Sequence, residues 1–125
     1  MLVVAACGGA GDVAAPHETL PEGAVFVAVP GSYGTWWTEV EHCSGLTRPM
    51  SKVSWYYVPG AGFFSYGSIS NLTGMWQPGR NAIILAEFAR QDAMTVRHEE
   101  LHAILRRTDH PSEYFVDKCG ALVTH

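Results

Sequence analysis

Two histidines four residues apart, with a glutamate directly after the first, are the residues in this chain best suited to chemistry. They lie in the run His98-Glu99-Glu100-Leu101-His102. Residues four apart share one face of a helix, so both imidazoles could bind one metal ion with the Glu99 carboxylate beside them. A zinc hydrolase requires two nitrogen ligands, a water whose pKa the metal lowers and a carboxylate that takes its proton. The motif therefore predicts zinc-dependent hydrolysis with Glu99 as the general base.

The sequence around the motif predicts the helix that the motif needs, over residues 92–107. Asp92 suits the N-cap position, and Arg106 and Arg107 place cations in the last turn, at the negative end of the helix dipole. Apolar residues recur along this stretch at helical spacing. They are Met94, Leu101, Ile104 and Leu105.

A catalytic zinc site needs a third protein ligand, and His110 is the preferred candidate because imidazole is a common zinc ligand. The helix could run one extra turn, reverse at Thr108-Asp109 and return His110 to the metal. Glu113 is the alternative third ligand. Asp109 and Asp117 rank below both, and Asp109 could instead orient a ligand imidazole through a hydrogen bond.

The motif and its surroundings resemble the zincin superfamily of metallopeptidases, most closely over residues 80–119. The resemblance implies a minimal α+β domain, in which a small, mostly antiparallel sheet packs on the active-site helix and a short C-terminal helix follows. It also implies that His98 and His102 bind Zn²⁺ and that Glu99 acts as the general base and later the proton donor. The implied substrate is a peptide or protein.

The third ligand distinguishes the branches of that superfamily. Metzincins continue the motif with a glycine and a third histidine, where this chain has Leu105 and Thr108. Gluzincins take the third ligand from a glutamate on a following helix, a role open here to Glu113. The resemblance therefore leaves His110 and Glu113 as alternatives.

The stretch Asp109–Phe115 also resembles small bacterial metallopeptidases of lipoprotein type. In those proteins a Cys-Ser-Gly near the start and a Cys near the end flank the zinc helix, as Cys43-Ser44-Gly45 and Cys119-Gly120 do here. Val4-Ala5-Ala6-Cys7 resembles a lipobox, in which small residues precede a lipidated cysteine. We therefore expect residues 1–22 to be the remainder of a lipoprotein signal and a tether, and residues 23–125 to be the metallopeptidase domain.

The three cysteines fit an exported protein attached to the bacterial cell envelope through lipid on Cys7. Two cysteines then remain, and an even pair in an exported protein predicts a disulfide between Cys43 and Cys119. The alternative is two buried free thiols in a cytosolic protein. A net charge of −4 gives no reason to expect nucleic acid as a partner.

Patterns of apolar and turn-forming residues predict the remaining elements. Strands are expected at 24–29, 53–58, 63–67, 72–76 and 81–87, and helices at 34–43 and 111–122. In the zincin fold, the strand before the active-site helix often forms the rim of the cleft and pairs with substrate, a role that falls to residues 82–86. The many aromatic side chains are expected to pack in the core or at the rim.

Two other functions are compatible with these residues. The chain could be a non-catalytic zinc-binding envelope protein. It could also be a module that binds a peptide or glycan in an aromatic groove, with the motif accidental.

Overall fold

Helices and strands fill most of residues 18–60 and 62–124, which the computed structural model describes. The fold class is α+β, as predicted. In chain order the elements are β1 (Val25–Phe26), α1 (Gly31–Ser44), β2 (Ser54–Val58), β3 (Phe64–Tyr66), β4 (Ile69–Leu72), β5 (Gly74–Gln77), β6 (Ala82–Ala86), α2 (Ala93–Leu105), a π-helical turn (Glu113–Lys118) and α3 (Gly120–Val123).

Four of the strands form a sheet in the order β1-β2-β6-β5, while β3 and β4 form a separate hairpin. All pairings are antiparallel except that between β2 and β6, which runs parallel from Ser54↔Ala82 to Val58↔Ala86. A parallel pair needs a long connection between its strands. Residues 59–81, which contain the hairpin and β5, supply that connection.

Strand β6 lies inside the sheet and has no exposed side chain. Ile83 and Leu85 face the main core beneath the helices. The alternate residues Ala82, Ile84 and Ala86 face a second core, which contains Phe64. Burial on both faces explains the uninterrupted apolar run of this strand. The expectation that residues 82–86 form the cleft rim is therefore wrong, because β6 is paired on both sides by β2 and β5. Among the described residues the edge strands are β1 and β5, and β5 is the one next to β6.

Helix α1 packs against α2, and the Cys43–Cys119 disulfide joins the last turn of α1 to the residue before α3. This confirms the predicted disulfide, which closes a loop between residues 76 positions apart. A loop of that length corresponds to about 4 kcal/mol of unfolding free energy on the chain-entropy model. The aromatic side chains that fill the core between the sheet and the helices are Tyr33, Trp37, Trp55 and Trp76.

Two elements differ from the sequence expectation. Residues 72–76 do not form one strand, because β4 ends at Leu72 and a bend at Thr73 separates it from β5, which begins at Gly74. The expected C-terminal helix is instead a π-helical turn followed by α3. In this turn the Cys119 amide donates to the Tyr114 carbonyl five residues earlier, at 2.9 Å.

Residues assigned to the tether contact the folded domain. The Gln77 side-chain amide donates to the Thr19 carbonyl at 2.6 Å, and the Thr19 amide donates to the Tyr66 hydroxyl oxygen at 3.2 Å. Leu20 packs on the second core. Cys7 lies outside the described residues. Among the described helices, none has the length and apolar character that crossing a membrane would require.

Candidate metal centre

Helix α2 begins at the predicted N-cap but ends earlier than the sequence indicates. The Asp92 carboxylate accepts a hydrogen bond from the Thr95 hydroxyl at 2.5 Å. At the other end, Leu105 is the last helical residue and Arg106 adopts a left-handed conformation, with φ +61°. The expected extra turn through Arg106 and Arg107 is therefore absent, and the helix ends three residues after His102.

The early reversal is stabilised by contacts on both sides of the helix end. The Arg48 guanidinium donates to the Ile104 carbonyl at 2.8 Å, which satisfies one of the last helical acceptors. Beyond the helix, Arg107 forms a bidentate pair with the Asp109 carboxylate at 2.9 and 2.6 Å. This short turn carries His110 back over α2.

Three imidazoles meet at this place, from His98, His102 and His110. Their candidate ligand atoms all lie within 4.8 Å of one another, and Nε2 of His98 is 3.2 Å from Nε2 of His110. Two nitrogens bound to a tetrahedral zinc ion at about 2.05 Å lie about 3.3 Å apart. The group could therefore hold a metal ion with only small movements of the rings.

Backbone carbonyls orient the two helical histidines. Nδ1 of His102 lies 2.8 Å from the Arg107 carbonyl oxygen, and Nδ1 of His98 lies 3.2 Å from that of Val123. A carbonyl oxygen accepts but never donates, so each Nδ1 carries a proton, and in a neutral ring Nε2 then keeps its lone pair. Hydrogen bonds of this kind hold metal-binding histidines in the correct tautomer and orientation.

The Phe115 ring forms the floor under all three histidines. Its centroid lies 5.0 Å from the His98 ring, 4.8 Å from the His102 ring and 4.9 Å from the His110 ring. Phe115 is buried in the π-helical turn, which the nearby Cys43–Cys119 disulfide ties to α1. The C-terminal segment thus supplies both the floor of the site and the carbonyl that orients His98.

Burial keeps His102 neutral. It lowers the pKa of the imidazole to about 4, although the hydrogen bond to the Arg107 carbonyl partly opposes this effect. The positive charges that His98 and His110 would carry lower the pKa further. A neutral imidazole is the form that binds a metal, so His102 is in its binding form at neutral pH.

Glu99 lies beside the three histidines and against the edge strand. Its side chain is 6% exposed, and burial raises its pKa to about 8. A Cβ atom built on Gly74 would lie 3.0 Å from Cγ of Glu99 and 3.2 Å from its Oε2. A side chain at this position would require the carboxyl group to shift by a few tenths of an ångström. A cation bound next to Glu99 would lower its pKa and favour the carboxylate.

The histidines and Glu99 line an open cavity of about 780 Å³, a size typical of ligand sites. Part of β5 forms one wall, including Gly74 and Met75, and the start of α2 contributes Met94. Three imidazoles also leave one position of a tetrahedral ion without a protein ligand. That arrangement is typical of catalytic zinc sites, whereas structural sites are closed by four protein ligands.

The alternative ligands lie outside the three-histidine group. The Glu113 carboxylate is exposed and pairs with the Lys118 ammonium at 3.0 Å. Asp109 pairs with Arg107, whose hydrogen bond lowers the pKa of the Asp109 carboxyl. Asp109 therefore supports the turn through Arg107, and the Arg107 carbonyl orients His102. Asp117 is exposed on the π-helical turn.

Gly74, Phe115 and the Val123 carbonyl were not found from the sequence. A glycine in a strand and a phenylalanine near a chain end are common, and nothing in their spacing relates them to the motif. Main-chain carbonyls carry no sequence signal at all. A glycine inside a predicted strand can mark the close approach of another group, and this is the only local signal that could have indicated Gly74.

No family model, curated protein or solved structure matches this chain at a significant level. The resemblance to zincins therefore stays a prediction from the sequence motif.

Proposed function

We propose that this protein is a zinc-dependent peptidase, with His98, His102 and His110 as the metal ligands and Glu99 as the general base. The observation that carries the proposal is the convergence of three imidazoles and a buried glutamate in one open cavity. The third histidine comes from a separate loop, so helical spacing alone does not explain its position.

The donor set fits a transition metal that binds imidazole, and zinc is proposed because three imidazoles with one position left open are typical of its catalytic sites. Imidazole nitrogen suits zinc, whereas magnesium and calcium prefer oxygen ligands. When bound, zinc would supply a Lewis acid that lowers the pKa of water and polarises a carbonyl group. The carbonyl-oriented rings of His98 and His102 would present Nε2 for this role.

Glu99 would accept a proton from the attacking water and return it to the leaving amine nitrogen. Burial raises its pKa and a bound cation would lower it, and a carboxyl group whose pKa lies near neutrality can both take and give a proton. The missing side chain of Gly74 leaves the space that the carboxyl group occupies. Proton transfer depends on such positioning, since the partners must be within hydrogen-bond reach.

The peptide backbone would bind along β5. This strand ends the sheet among the described residues, and it borders the cavity that contains the three histidines. The outer edge of a strand offers N–H and C=O groups with which an extended peptide can pair. The substrate-pairing role expected for residues 82–86 is thus proposed for Gly74–Gln77.

An exported location is proposed on the strength of the disulfide. Disulfides persist mainly in oxidising compartments, and Cys43–Cys119 joins two segments of the domain. Attachment to the bacterial envelope through lipid on Cys7 remains a prediction from the sequence.

The proposal is tested by zinc content and peptide hydrolysis on the same preparations. Wild-type protein is expected to contain one zinc per chain, and to lose hydrolysis of a quenched fluorescent peptide library on chelation and regain it with zinc. His110→Ala should lower both the zinc content and the rate. His42→Ala is the matched control, since His42 is exposed on α1.

Unchanged zinc content in His110→Ala would remove His110 from the ligand set. A chain that binds zinc but cleaves no peptide would support a non-catalytic zinc-binding protein. A chain that binds no zinc even when zinc is added would show the motif to be accidental.

A further inference from the structure

Three large apolar side chains stand exposed along one wall of the cavity. They are Phe63, Ile69 and Phe88, with exposed fractions of 59%, 54% and 51%. The Phe63 and Phe88 rings meet edge to face, with centroids 5.3 Å apart. We call these three residues the apolar wall. Exposed apolar groups that cluster in this way are typical of binding surfaces.

The apolar wall is held in place by the second core. Phe63 precedes β3, and its neighbour Phe64 is buried beneath β6 with an exposed fraction of 6%. Alternation along the strand thus puts one phenylalanine into the core and the other into the cavity. Phe88 lies in the 3₁₀ turn Glu87–Ala89, where the Glu87 carboxylate accepts a hydrogen bond from the Gly60 amide at 2.6 Å.

The apolar wall is continuous with the proposed peptide-binding edge. Strand β4 passes into β5 through Thr73 alone, so the hairpin that carries Ile69 extends directly from the edge strand. Met75 and Met94 line the same cavity. A peptide paired with β5 would therefore lie beside an apolar surface on one side and the three histidines on the other.

The charge of the cavity lining narrows the class of ligand. Asp92 and Glu99 are the ionisable acids among its described lining residues, and that lining includes neither lysine nor arginine. An acidic side chain placed on the apolar wall would lose its hydration and find no lysine or arginine to pair with, which disfavours its binding there. A neutral apolar side chain meets neither penalty and removes apolar surface from water.

We propose that the apolar wall is the specificity surface of the cavity, and that it binds a bulky apolar side chain of a peptide that carries no acidic residue nearby. The occupant is the side chain of an extended peptide on β5. The cleavage of that peptide rests on the proposed function, whereas its selective binding does not.

Binding and hydrolysis are measured separately, so that the two proposals can fail independently. Fluorescein-labelled hexapeptide mixtures, each with one central position fixed as Phe, Leu, Gly or Asp, are titrated by anisotropy against zinc-loaded Glu99→Gln protein. Quenched versions of the same mixtures are given to the zinc-loaded wild type. The Phe and Leu mixtures are expected to bind at least about tenfold more tightly than the Gly mixture, and the Asp mixture is expected to bind most weakly.

Two variants test whether the apolar wall causes the preference. Phe63→Ser should reduce the ratio of Phe to Gly binding by about tenfold, the range expected for the loss of one large apolar contact. Phe26→Ser is the matched control, because Phe26 is 68% exposed on β1, at the opposite edge of the sheet. Its ratio should stay within about twofold of the wild-type ratio.

Equal binding of all four mixtures, or equal loss of preference in Phe63→Ser and Phe26→Ser, would overturn the proposal. So would a Phe63→Ser effect confined to self-association, measured by sedimentation, since the apolar wall would then be an interface between two copies. Selective binding without any wild-type hydrolysis would uphold the apolar wall and refute the peptidase.

Discussion

Two adjacent carboxyl groups on α2 show how differently one helix can use the same residue type. Glu99 and Glu100 are both buried, and burial raises their pKa values to about 8 and about 9. Glu99 lines the cavity beside the three histidines. Glu100 is fully buried, and neither of its carboxylate oxygens has a hydrogen-bond partner within the described structure.

Charged groups near Glu100 only partly offset the effect of burial on its pKa. Arg97 lowers its pKa and Glu39 raises it, and these two residues pair with each other at 2.9 Å. Burial raises the pKa of Tyr33, Arg90 lowers it, and Glu100 raises it to a smaller extent. Adjacent residues project about 100° apart on a helix, so Glu99 faces the cavity while Glu100, one position later, faces the interior.

A raised pKa does not by itself identify a functional carboxyl group. Both groups are perturbed mainly by burial. Only Glu99 also has an open space, a set of possible metal ligands and a glycine that leaves room for it. Three predictions test whether Glu99 and Glu100 differ in this way.

The largest expected effect separates the two glutamates by activity. Glu99→Gln should retain zinc and lose at least about a hundredfold in kcat, because the amide cannot accept the proton from water. Glu100→Gln should retain zinc and most of the wild-type kcat. Elemental analysis and peptide hydrolysis on both variants provide the measurement. Equal losses in the two variants would mean that Glu99 has no special role.

A smaller effect is expected from moving Glu99 without replacing it. Gly74→Ala should lower kcat by about tenfold at unchanged zinc content, since the new methyl group displaces the carboxyl group from its position. Gly34→Ala is the matched control. A Cβ atom there would meet nothing within 4 Å, so the rate should not change. A fully active Gly74→Ala protein would show that the position of Glu99 is not critical.

The smallest expected effect concerns stability and belongs to Glu100. Its folded pKa of about 9 exceeds the ordinary value of 4.5, so between these values the folded chain holds a proton that the unfolded chain releases. This contribution to stability is complete below about pH 4.5, declines as the pH rises and is lost above about pH 9.

Glu100→Met should therefore stabilise the metal-free protein more at pH 8 than at pH 5. It removes the ionisable group and the two unpartnered oxygens while keeping a similar side-chain volume. We expect Tm to rise by about 5 °C at pH 8, measured by thermal denaturation with chelator present. A rise that is the same at both pH values would contradict the assigned pKa.

Much of the secondary structure could be predicted because its signals are local. The apolar run of β6, the aromatic and β-branched residues of β2 and the glycine after α1 each act within a few residues. The limits of such signals appear where the chain reverses. Arg106 adopts a left-handed conformation that its residue type does not indicate, and the turn is held by Arg48, far away in sequence.

The sequence by itself determined the motif helix, the α+β class and the pairing of Cys43 with Cys119. Apolar spacing predicts the motif helix, the resemblance to zincins implies the α+β class, and the cysteine count together with the resemblance of residues 4–7 to a lipobox predicts the disulfide pair. Only the tertiary structure decided that His110 joins His98 and His102, that Phe115 lies beneath them and that Gly74 makes room for Glu99. These relations depend on the direction in which the chain returns after α2 and on which strand ends the sheet. Both are set by packing among distant residues, which no local pattern in the sequence encodes.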